Sequence, residues 1–313
     1  MRAVFLDLDS LGPNDLSLDP LYAAVTQLQC HTITPPEQVL ARLACAQVAI
    51  VNKVVLDRHI LTQLPQLKHI VVAATGVNNV DLVAAEEFGI SVQNCRAYGV
   101  ESVTQHCLML MLALSTRLLE YRAAVQQGAW SRSAHFCMLD YPVESLAGKT
   151  LGVVGYGELG KGVARLAEAF GMNIKIAARP GEAVPAGRHS LHDMLPQVDI
   201  LTLHCPLTDN TENLIDWPQL CALPNSALLI NCARGGIVNE AALVRALDEQ
   251  QIAGAGVDVL TTEPPPVDHP LLTTSRPNLI VTPHTAWASR QARQTIVQQV
   301  SENLLALNQL RKV

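Results

Sequence analysis

Residues 150–171 read TLGVVGYGELGKGVARLAEAFG. A short apolar strand around Leu151, Val153 and Val154 runs into Gly155-x-Gly157-x-x-Gly160. A helix follows, with Val163, Ala164, Leu166 and Ala167 on its inner side. The first glycine permits a tight turn, the second lets the backbone approach a pyrophosphate, and the third lets helix and strand pack closely. The helix N-terminus adds free N–H groups and the positive end of a dipole. A bare glycine pattern says little and can mark a purely structural turn. Set strand–turn–helix at the start of a βαβ series, it predicts dinucleotide binding.

The alternation extends on both sides. Upstream, "AQVAIVN", "LKHIVVAAT" and "ISVQN" read as strands, and "PEQVLARLA" and "DLVAAEEFG" as helices. A long helix is expected from about Ser102 to Gln126, followed by an irregular connection over residues 128–148. Downstream, "TLGVVG", "NIKIAA", "DILTLH", "ALLINC", "GAGVDV" and "NLIVTPH" give a second series of strands, and the last stretch reads as a helix that returns to the first domain. The fold class is therefore α/β, with two Rossmann-like domains on parallel sheets and a discontinuous outer domain.

Composition bounds the function. The 313 residues are 49% hydrophobic and 16% charged, with a net charge of −6. This argues for packed cores, and against nucleic acid or an anionic membrane as partner. The eight cysteines form no CxxC pair and suggest reduced thiols in the cytoplasm. The opening "MRAVFLDLDS" reads as a first strand rather than a secretory leader. The run "HCLMLMLALS" is too short to span a bilayer, and its apolar residues on every side suit a second subunit. No metal site is expected.

The strand that follows the glycine turn ends in Ala178 and Arg179, where an NAD site usually ends in Asp or Glu. No acid stands there to repel a 2′-phosphate, and an arginine stands ready to pair with one, which favours NADP over NAD. Stacking on adenine and simply pointing to solvent are the other roles open to Arg179.

Three further groups lie in loops after strands. Arg234 stands in "LLINCARGGIVNE" (228–240), Glu263 in "GAGVDVLTTEPPP" (254–266) and His284 in "LIVTPHTAWAS" (279–289). Reduction of a 2-oxo acid needs a cation for the carboxylate, an acid/base for the oxygen, and a carboxylate to steady that acid/base. The three residues supply these. The bland alternative for Arg234 is a surface pair with Glu240. His106 reads as a satisfied buried group, His204 as a residue lining the cofactor, and His269 as a loop residue before Pro270.

These motifs resemble the D-isomer-specific 2-hydroxyacid dehydrogenase family, over essentially the whole chain. Within it, "ATGVNNVDL" (74–82) with "PHTAWAS" is most similar to the glycerate dehydrogenases, also called hydroxypyruvate reductases. The resemblance implies a flavodoxin-like substrate domain over residues 1–97 and 288–313, and a dinucleotide-binding Rossmann domain over 98–287. It implies Arg234, Glu263 and His284 as the catalytic residues, and a homodimer around the long helix. The cofactor would meet Gly155, Tyr156, Gly157, Glu158, Leu159 and Gly160 at the turn, with Arg179 beyond it. It would also meet His204, Cys205, Pro206, Thr211, Cys232 and Ala233, and, near the nicotinamide, Thr104 and Asp258. Asn52, Lys53, Gly76, Val77 and Trp287 would meet the substrate, a small acid such as hydroxypyruvate or glyoxylate. The alternatives are another activity of the family, such as phosphite oxidation, or a cofactor-sensing protein of the corepressor type. Glu263 argues against formate dehydrogenases, which pair their histidine with glutamine.

Overall fold

The inner strands of both sheets are short and buried on both sides, the pattern of parallel strands covered by helices on two faces. A computed structural model describes residues 1–273 and 276–310. Its first elements are β1 (Arg2–Phe5), α1 (Asp19–Ala24), β2 (Gln27–Cys30), α2 (Val39–Leu43), β3 (Val48–Val51), α3 (Arg58–Leu61), β4 (His69–Val72), α4 (Leu82–Glu87) and β5 (Ser91–Asn94). Then come α5 (Val100–Ser115), α6 (Leu118–Gln126), β6 (Thr150–Val154), α7 (Glu158–Ala169), β7 (Asn173–Ile176), α8 (Leu191–Met194) and β8 (Ile200–Leu203). The chain continues through α9 (Trp217–Ala222), β9 (Leu228–Asn231), α10 (Glu240–Asp248), β10 (Gly254–Val257), α11 (Pro270–Thr273), β11 (Leu279–Val281) and α12 (Arg290–Leu310). Among the described residues no helix is long and apolar enough to cross a membrane.

The chain divides into two units, Met1–Gly99 with Trp287–Val313, and Val100–Ala286. In the first, five parallel strands run in the order β2-β1-β3-β4-β5. Successive side chains of a strand face opposite sides, so Ala3 and Phe5 join one core with Ile296, Val300 and Leu304 of α12. Val4 and Leu6 join the other with Val39, Leu43 and Ala84. Edge strand β2 escapes the sequence reading because "QLQC" alternates exposed and half-buried residues and lacks an apolar run. At the β1/β3 switch point, Asp7 accepts the N–H groups of Asn52, Lys53 and Val54. Arg293 of α12 clamps the early chain, donating to both carboxylate oxygens of Asp15 at 2.7 and 2.8 Å and to the Gly12 carbonyl.

The second unit orders six parallel strands β11-β10-β9-β8-β6-β7. The strands expected from the sequence are all present. The single long helix is not. It breaks into α5 and α6 where Arg117 turns left-handed at φ 54°. There the Thr116 hydroxyl bonds back to the Leu112 carbonyl, and Arg117 pairs with Glu120.

The guanidinium of Arg293 holds the Asp15 carboxyl below its ordinary 3.8. An acid whose value is lowered by folding stabilises above its unfolded value, and the effect is lost as pH falls through the folded one. Asp15→Asn is expected to lower Tm by about 1–2 °C at pH 7. The difference from the parent should be fully present above pH 3.8 and shrink as pH falls below that value, through the lowered folded one, in a pH series of thermal melts.

Candidate active site

The glycine turn lies at the point where the second sheet reverses direction, between β6 and β8, the usual ligand crevice of such sheets. Gly155 has φ +90°, and a Cβ there would come within 2.5 Å of the Cys205 backbone nitrogen. A Cβ on Gly160 would sit 2.1 Å from the Gly155 carbonyl oxygen. Gly157 differs, because a Cβ there would meet nothing within 4 Å. Its lack of a side chain keeps open space before α7, and no side chain caps that helix. The room and the uncapped N–H groups fit a dinucleotide pyrophosphate.

Around the turn, His204 is half-buried and donates to or accepts from Thr202 Oγ1 at 2.9 Å, while its buried Nδ1 has no partner among the described residues. Burial pulls its pKa down to about 4, so the ring is neutral at pH 7. Cys205 is buried, with its thiol pushed up to about 11. Cys232 is raised further, by a hydrogen bond with Cys107 and by burial. Both thiols therefore stay protonated at neutral pH. The Thr211 hydroxyl is engaged within its own turn, by Pro206 and Thr208. The Thr104 hydroxyl donates to the Val100 carbonyl.

Arg179 extends from the end of β7, 77% exposed, with Glu182 at 3.5 Å. A parallel bridge between Ala177 and His189 brings in a second arginine that residue order offers no reason to select. Arg188 lies 5.9 Å from the ring centre of Tyr156 and donates to the Ala177 carbonyl.

The three acid/base and anion-binding candidates occupy loops after β9, β10 and β11, which are neighbours in register. Arg234 is exposed and, among the described residues, in no ion pair. Its loop is braced by Asn231, whose amide donates to the Arg234 carbonyl while its oxygen accepts the Ala233 N–H. The surface pair with Glu240 is not formed. Glu240 instead accepts from the Thr261 N–H and His269. A Cβ on Gly235 would fall 2.0 Å from the Leu260 carbonyl oxygen, so the Arg234 loop lies directly against the one carrying Glu263.

Glu263 Oε1 accepts the Leu260 N–H, and Oε2 meets His284 Nδ1 at 2.6 Å. This contact puts the proton on Nδ1 when the ring is neutral, and leaves Nε2 for exchange. His284 has φ +53°, a conformation non-glycine residues seldom adopt. Its N–H donates to the Asp258 and Thr282 carbonyls. The Asp258 carboxylate, 2% exposed, accepts from Thr282 Oγ1, the Thr285 N–H and the Ala286 N–H. His106 bonds to Thr282 Oγ1 at 2.9 Å, as a satisfied group. Burial lowers its pKa more than the Asp258 carboxylate, 3.6 Å away, raises it, so the ring is neutral.

The remaining candidates belong to the first unit. Asn52 is buried and donates to Ser10 Oγ. Gly76 and Val77 follow β4, and their N–H groups have no partner among the described residues. Trp287 packs edge-to-face on Tyr98, ring centres 6.3 Å apart.

A family model described as D-isomer specific 2-hydroxyacid dehydrogenase, NAD binding domain, matches residues 108–286. The chain is 43% identical over 306 residues to a glycerate dehydrogenase of Methylorubrum extorquens, covering 97% of this chain and 95% of that protein. It is 33% identical over 312 residues to a hydroxypyruvate reductase of Blautia hydrogenotrophica, covering 97% and 96%. An acyclic imino acid reductase solved in complex with NADPH and D-arginine has the same fold, with TM-score 0.86 at 25% identity, covering 99% of this chain and 98% of that one.

Gly157→Ala should leave Tm nearly unchanged but weaken binding of the nicotinamide cofactor by at least ~10-fold in a titration of cofactor fluorescence, since its methyl group enters the space the pyrophosphate needs. Gly160→Ala, which drives a carbon into a carbonyl oxygen, should lower Tm as well.

Proposed function

The chain belongs to the D-isomer specific 2-hydroxyacid dehydrogenase family, an oxidoreductase family working between 2-oxo acids and D-2-hydroxy acids, and we propose that its substrates are hydroxypyruvate and glyoxylate, reduced to D-glycerate and glycolate. The observation that carries the chemistry is the Glu263–His284 contact at 2.6 Å, in a loop next to that of an exposed arginine whose guanidinium meets the Ala233 carbonyl and, among the described residues, no carboxylate. Likeness to glycerate dehydrogenase supports the choice of acid.

Arg234 takes the substrate carboxylate in a bidentate pair and draws electron density from the carbonyl. A reduced nicotinamide supplies the hydride when bound. His284 gives the Nε2 proton to the carbonyl oxygen, while Glu263 holds Nδ1 and balances the imidazolium. The Gly76 and Val77 N–H groups, with Asn52, Lys53 and Trp287, are further proposed substrate contacts. Gly155, Tyr156, Gly157, Glu158, Leu159 and Gly160 would hold the pyrophosphate. Thr104, Cys232, Ala233 and Asp258 would border the nicotinamide, and His204, Cys205, Pro206 and Thr211 would line the cofactor.

We favour NADPH as the reductant, on the pair Arg179 and Arg188 at the end of β7 where an acid would select NADH. We also favour a cytoplasmic homodimer. Eight unpaired cysteines suit a reducing compartment. Phe136 (91% exposed), Leu139 (85%) and Met109 of α5 offer apolar surface that a second copy would cover.

A panel of 2-oxo acids with NADPH and NADH, followed at the absorbance of the reduced cofactor, should give the highest kcat/KM for hydroxypyruvate or glyoxylate with NADPH. No turnover of either acid with either cofactor would refute the assignment. Arg234→Ala and His284→Ala should each lose about 10²–10⁴-fold in kcat/KM. Arg179→Ala and Arg188→Ala should each raise KM for NADPH by ~10-fold or more and leave that for NADH within about twofold. Light scattering should give twice the monomer mass, falling to the monomer in Phe136→Glu/Leu139→Glu; a parent protein that elutes as a monomer overturns the dimer.

A further inference from the structure

Glu263 sits in an exposed segment without helix or strand, between β10 and α11. One side chain outside the segment ties both of its ends. Glu240 opens α10, and its carboxylate reaches both ends of the segment. Oε1 accepts the Thr261 N–H at 2.7 Å, and Oε2 accepts from His269 Nε2 at 3.0 Å. The direction of the second bond is set by the Leu271 N–H, which donates to His269 Nδ1 and so leaves the ring proton on Nε2. His269 is 7% exposed and roots the far end, its N–H on the Pro266 carbonyl and its own carbonyl accepting from Leu272 and Thr273. Between the two anchors, residues 261–268 are exposed or only partly buried.

We infer that Glu240 and His269 form a bracket that sets the position of the Glu263 carboxylate and, through it, the ring of His284. The inference rests on the catalytic reading above. Both are positioning residues. Glu263 has one oxygen on the Leu260 N–H and the other on His284, so a shift of the loop by a fraction of an ångström is passed to the imidazole. Releasing one end of the bracket lets Glu263 swing and the His284 ring turn, which removes the alignment of Nε2. Misplacement of this order costs turnover rather than binding, about 10–100-fold. The competing account is that Glu240 merely stabilises α10, as an acid in a first turn does.

The two accounts separate in a coupled set of variants. Glu240→Ala is expected to lower kcat ~10–100-fold with KM for the cofactor within about twofold. In a Glu263→Ala background the same change should cost less than about twofold, because the residue it acts through is gone. Glu240→Gln keeps an acceptor for Thr261 and loses the His269 half, so its loss should fall between the parent and Glu240→Ala. It also serves if Glu240→Ala does not fold. The second readout needs no turnover. The ring nitrogen resonances of His284, identified by their absence in His284→Asn, should move in Glu240→Ala or Glu240→Gln toward their positions in Glu263→Ala. Unchanged kcat and ring resonances in a folded variant would overturn the bracket, as would an equal fold-loss in both backgrounds. If the parent turns over no 2-oxo acid, the catalytic reading fails alone, and the resonances still decide the bracket.

Discussion

The loop that carries His284 is wrapped around a buried carboxylate. Asp258 takes a hydroxyl from Thr282 and two backbone N–H groups from Thr285 and Ala286, while its own carbonyl takes the N–H of His284. A buried carboxylate left without such partners would cost several kcal/mol, so the chain beyond β11 is held where it satisfies the group. The left-handed backbone of His284 is a consequence. A histidine is placed at φ +53° because the residues on either side are already committed.

The same logic governs the neighbouring loops. Three parallel strands in register end at one edge of the sheet, and each releases a loop bearing one polar group. Loops are soft, and chemistry on an imidazole is not tolerant of softness. The structure stiffens each with contacts that lie outside the reacting groups: Asn231 inside the Arg234 loop, the backbone contact of Gly235 with Leu260, and the Glu240–His269 bracket on the loop of Glu263. The dinucleotide turn is different in kind. It is shaped mainly by absences of side chains, since Gly155 and Gly160 leave room for protein backbone and Gly157 leaves room for something else.

Much of this could be read directly from residue order. Every strand but β2 could be read from residue order; "QLQC" alternates exposed and half-buried residues and holds no apolar run. The break at Arg117 was hidden for the opposite reason. Helical periodicity continues through it, and the interruption is in the backbone, where Arg117 turns left-handed and its N–H goes to the Leu114 carbonyl. Asn231 stands three residues before Arg234 and could have been recognised as a side chain that folds a turn. Arg188 could not. It lies nine positions beyond Arg179, and the bridge between Ala177 and His189 brings its segment to the end of β7.

What residue order determined was the periodic and the local: two parallel α/β layers, the glycine turn, and the placing of an arginine, a glutamate and a histidine just beyond apolar strands. Those features follow from burial and backbone sterics, which act over a few residues. What only the tertiary structure decided was pairing at long separation. Glu263 faces His284 and not another base, Glu240 serves His269 and not Arg234, and Asp258 orders a loop 27 residues away. A carboxylate will accept from any donor that reaches it. Which donor does so is fixed by how neighbouring strands align their ends, and strand order is a property of the folded sheet.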